Sequence, residues 1–71
     1  MQSEITWQTT DLPLERIQRF FGKEWVDDIL SMDKARAFGF CASRAAGAWN
    51  ANERETYAMY RSLAHIVQER A

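Results

Sequence analysis

A chain of 71 residues with a formal charge of −1, 46% apolar and 13% aromatic side chains is one domain, near the lower size at which a hydrophobic core suffices by itself. Its single cysteine, Cys41, excludes an internal disulfide, and together with the single histidine, His65, it cannot supply the four ligands of a structural zinc site within one chain. No apolar run approaches the length that spans a bilayer, and the polar opening MQSEITWQTT lacks the charged-then-apolar order of a secretory signal, so a cytoplasmic protein without membrane contact is expected.

The first ten residues read as an extended arm. Ile5, Trp7 and Thr9 alternate with Glu4, Thr6 and Gln8, the period of a half-buried strand, yet no second strand follows for it to pair with. Such a segment lies over the helices, pairs with its copy in a dimer, or stays disordered.

A helix is expected over 11–21, with Asp11 as cap, Pro13 in the first turn where its missing donor is harmless, and Leu14, Ile17 and Phe21 as the apolar stripe with Phe20 at its edge. It must stop there. Continued to residue 30, it would carry Glu24 and Asp28 onto the apolar stripe and turn Val26 and Leu30 to solvent. Gly22 is the natural break, as a left-handed residue, and a second helix over 23–31 builds its own stripe from Trp25, Val26, Ile29 and Leu30.

Asp33 is the candidate cap of a third helix over 33–49, whose stretch ARAFGFCASRAAGAW is dominated by alanine and glycine. At helical spacing Ala35, Gly39, Ala42 and Ala46 form a stripe without bulk, flanked by Phe38 and Trp49. Such a stripe admits a neighbouring helix closely, and Tyr60, Leu63 and Val67 of the last helix are expected to fill it. The other use of the stripe is as an open groove for a partner's helix. About 140° away, Phe40 stands between Arg36 and Arg44, and is either covered by the first two helices or part of an aromatic and arginine patch of the kind that anchors interfaces. The last helix, over 52–70, follows a capping-box spacing (Asn50 with Glu53, or Asn52 with Glu55). Met59, Tyr60, Leu63, Ala64, Ile66 and Val67 make its apolar arc, opposite Arg54, Arg61, His65, Gln68 and Glu69.

The fold these elements predict is all-α, a small helical bundle of three to four helices with a C-terminal antiparallel hairpin and an extended N-terminal arm. Charge is unevenly spread along it. Residues 1–33 carry three basic and seven acidic side chains, and residues 34–71 carry six basic and three acidic.

No constellation suits catalysis. His65 has Arg61 and Glu69 at helical spacing, the pattern of a surface ion pair; Cys41 reads as a small buried hydrophobe; Asp27 and Asp28 point in different directions on one helix. No phosphate loop or metal-ligand spacing occurs, so neither catalytic residues nor a cofactor is expected. The segment PLERIQRFFGKEWVDDILS resembles a helix-turn-helix in outline, and a strand followed by helices resembles a dimeric ribbon-helix-helix repressor. The second helix of the former would present Glu24, Asp27 and Asp28 to phosphates, however, and the outward residues of the latter, Glu4, Thr6 and Gln8, include no base. Nucleic acid is therefore the lesser expectation. The leading one is a small regulator or inhibitor that contacts another protein, of a size common among bacterial and phage-encoded modulators. Its expected partner-binding residues are Arg36, Phe40 and Arg44, with the acidic helix at Glu24, Asp27 and Asp28 as a second surface. The marginal core and the number of aromatics suggest a homodimer.

Overall fold

The computed structural model describes residues 5–69. Four helices follow one another: α1 Leu14–Phe21, α2 Lys23–Leu30, α3 Lys34–Asn50 and α4 Arg54–Glu69, with no strand among the described residues. The radius of gyration is 11.4 Å, close to the roughly 11 Å of a packed chain of this length. The all-α hairpin architecture expected from the sequence is what the chain adopts.

The hairpin of α3 and α4 is the frame. Its turn is a Schellman closure: the Glu53 N–H donates to Ala48 O at 2.9 Å, the Asn52 N–H to Trp49 O at 3.1 Å, and Asn52 takes φ 62°. Asn52 thus ends α3, as asparagine tolerates the left-handed region better than most residues. The expected capping box gives way to this closure, in which Asn50 is the last residue of α3. At the other end of α3 the Asp33 carboxylate accepts the Arg36 N–H at 3.4 Å, as the sequence suggests.

The chain breaks at Gly22, with φ 105° and ψ 132°, a conformation outside the left-handed helical region but equally reserved for glycine. At the start of α1, Asp11 is exposed and does not cap; Pro13 occupies the cap position and accepts from the Arg16 and Ile17 amides through its carbonyl.

One face of the hairpin packs against α1 and α2. Ile17, Val26, Ile29, Met59, Leu63 and Val67 are buried at the centre. The buried face of α3 is Ala37, Cys41, Ala45 and Ala48. Ser62, the one buried polar side chain among the described residues, accepts the Leu12 N–H at 3.2 Å and so ties the lead-in of α1 to α4. Aromatic rings cement this side: Phe21 lies 4.8 Å from Trp25 and 4.7 Å from Tyr60, and Trp25 lies 5.9 Å from Phe40.

The arm keeps the expected alternation in burial, with Ile5, Trp7 and Thr9 turned inward and Thr6 and Gln8 outward. It does so without a strand. The Thr9 N–H donates to Thr6 O at 3.2 Å and the Thr6 N–H to Thr9 Oγ1 at 2.9 Å, closing a turn over Trp7 and Gln8. Residues 1–4 and the end of the predicted last helix at residue 70 lie outside the described residues.

Candidate functional site

The stripe of small residues does not face α4's large side chains. Ala35, Gly39, Ala42 and Ala46 are all exposed, and a Cβ added at Gly39 would meet nothing within 4 Å. Leu63 and Val67 enter the core beside the opposite face of α3, and Tyr60 joins Phe21 and Trp25. The expectation of a filled stripe is therefore overturned. The physical reason is that alanine occupies both sides of α3: the buried stripe of Ala37, Cys41, Ala45 and Ala48 is as small as the exposed one, so side-chain volume alone could not choose between them.

What the exposed stripe borders is a groove along the outer face of the hairpin, which neither α1 nor α2 covers. Ala42, Ala45, Ala46 and Ala64 form its floor. Phe38 and Trp49 stand on the α3 side, 38% and 54% exposed; Tyr57, Arg61 and His65 stand on the α4 side. Among the described phenylalanine, tyrosine and tryptophan rings, Phe38 is the one that stacks on no other.

One end of the groove is bordered by the arm, whose Thr10 joins the lining. Trp7 packs on Trp49 edge-to-face at 4.8 Å and on Tyr57 at 5.3 Å, and Trp49 and Tyr57 are themselves 5.3 Å apart. With centroids this close the three rings pack against one another beside the groove. Along the α4 wall the Arg61 guanidinium donates to Tyr57 Oη at 2.9 Å and lies 5.6 Å over the Tyr57 ring, which holds its charge beside the groove. His65 Nε2 meets Glu69 Oε2 at 3.2 Å, the i, i+4 pair expected from the sequence.

The residues expected to bind a partner are placed differently. Phe40 is half-buried rather than exposed: it wedges against Trp25 of α2, and the Arg44 guanidinium covers it at 5.0 Å from the ring centroid. Arg36 is exposed and makes no ion pair among the described residues. The structure therefore joins Phe40 to Arg44 and makes Phe40 a seam between α2 and α3, the covered one of the two placements open to it in the sequence. On α2, Glu24, Asp27 and Asp28 are exposed; Asp27 pairs with Lys23 at 2.9 Å on the same helix. The acidic helix thus presents a polar outer face, its apolar residues being turned inward.

Cys41 is fully buried, and burial pushes its thiol up to about 11, which makes it a protonated core residue and not a nucleophile at neutral pH. No group of three or more His, Cys, Asp or Glu side chains stands together among the described residues. No helix is long and apolar enough to cross a membrane. No family model, curated protein or solved structure matches this chain.

Proposed function

We propose that this chain is a non-catalytic contact protein, a small regulator or inhibitor that seats a helix of another protein in the groove on the outer face of α3 and α4. The observation that carries this reading is the exposed floor at Ala42 and Ala46 beside the exposed Phe38, on a face that the chain's own helices leave uncovered. Small side chains permit close approach of helix axes, and the flanking rings offer apolar area without much rotamer entropy to lose.

The two DNA-binding outlines draw less support. The segment that would form a ribbon is a turn at Trp7 and Gln8, and the second helix of the helix-turn-helix outline exposes Glu24, Asp27 and Asp28. Of the aromatics behind the homodimer expectation, Phe21, Trp25 and Tyr60 pack on one another within the chain, while Phe20, Phe38 and Trp49 remain exposed.

A photoreactive benzoylphenylalanine placed at position 38, with a control at the exposed Glu15 of α1, tests the reading in cells that express the chain. A discrete crosslinked protein from position 38, absent from position 15 and lost when Ala42→Arg fills the floor, is the expected outcome. Equal crosslinking from both positions, or adducts that survive Ala42→Arg, would sink it.

A further inference from the structure

We infer that the occupant of this groove is an amphipathic helix of a different protein that carries carboxylates along its flank. This rests on the groove reading above. The lining holds Arg61 and His65 and no aspartate or glutamate; His65 has Glu69 beside it just outside the lining, whereas Arg61 is in no ion pair among the described residues. Its guanidinium is instead steadied on Tyr57, through the hydroxyl and the ring, in a position to meet an incoming anion.

The wider field has the same sign. Over 34–69, the hairpin carries five basic side chains against three acidic, whereas residues 11–33, which hold α1 and α2, carry three basic against six acidic. Two copies brought together groove to groove would oppose like charges across an apolar strip. The acidic face of α2 in a second copy is complementary in sign but has no apolar residues left to lay in the groove, since Val26 and Ile29 are buried and Trp25 and Leu30 are packed against the core. A helix that combines an apolar stripe with a glutamate or aspartate edge satisfies both the floor and the wall, and steers itself toward the positive layer.

The test uses two designed helical peptides that share one leucine and alanine stripe and differ at their flanking positions, glutamate in one and lysine in the other. Each is titrated into the full chain with amide chemical shifts as readout, and the chain alone is run through light scattering over a wide concentration range. The glutamate peptide is expected to shift the amides of Phe38, Ala42 and Ala46 and to bind at least about fivefold tighter than the lysine peptide at low salt, the gap closing as salt rises. Arg61→Gln should remove that preference and Arg61→Glu invert it, with the helical circular dichroism of both variants intact. Equal binding of the two peptides would overturn the charge inference and leave the groove reading standing. Binding of neither at millimolar concentration would overturn both. A dimer whose formation shifts the same amides would make a second copy the occupant and overturn the inference.

Discussion

Gly22 and Gly39 look alike in the sequence, yet the structure gives them opposite roles. Neither is crowded, for an added Cβ meets nothing within 4 Å at either position. At Gly22 the constraint is the backbone, since φ 105° with ψ 132° is nearly closed to side-chain-bearing residues. Gly22→Ala should therefore cost about 1–3 kcal/mol. At Gly39 the backbone is helical and solvent lies outside, so Gly39→Ala should stabilise by about 0.5–1 kcal/mol through the smaller entropy of its unfolded state. Urea unfolding of the two variants checks both signs. A stable Gly22→Ala protein, or a strongly weakened Gly39→Ala one, would contradict the geometry. The need for a break at Gly22 was legible because Glu24 and Asp28 could not share a stripe with Ile17. The openness of Gly39 was not, because the same small residue suits a tight contact and an empty face.

Among the elements, the helices themselves were readable nearly to their ends, since Ile17, Val26, Ile29, Leu63 and Val67 all recur at helical spacing and all are buried. What the sequence left undecided was which side of α3 the short helices cover. Trp25 settles that by reaching across to Phe40, so α2 is clamped to α3 by rings and not by a long interface. Phe40→Ala should accordingly lower stability by about 1–3 kcal/mol, less than a fully buried phenylalanine because one side stays open to solvent. Differential protection of α2 amides in hydrogen exchange locates the effect: α2 should open before the hairpin in the variant. If stability and α2 protection are unchanged, Phe40 is a surface residue after all. The polar link from Leu12 to Ser62 had no sequence signal, because a serine within an apolar arc declares neither its burial nor a donor 50 residues away.

For the molecule as a whole, the core contains a titratable group that makes the fold sensitive to alkali. Cys41 has an ordinary value of 9.0 when solvated, and burial raises it to about 11. The folded state therefore holds this proton more tightly than the unfolded state. Its contribution is complete below pH 9 and is lost as pH climbs toward 11. Burial also raises the Tyr60 hydroxyl, with Arg44 opposing, so it acts in the same direction. Urea midpoints measured from pH 8 to 11 should fall across this window, and Cys41→Ala should flatten the fall while lowering the starting value. An equally steep decline in Cys41→Ala would assign it elsewhere. The arm's packing beside the groove has an optical consequence as well. Trp7 and Trp49 are stacked edge-to-face there, whereas Trp25 sits on the far side of the hairpin among Phe21, Phe40 and Tyr60. Two of the three indoles are thus placed where an occupant would alter their surroundings and the third is shielded from it, so the chain carries both an intrinsic reporter and its internal reference without any added dye.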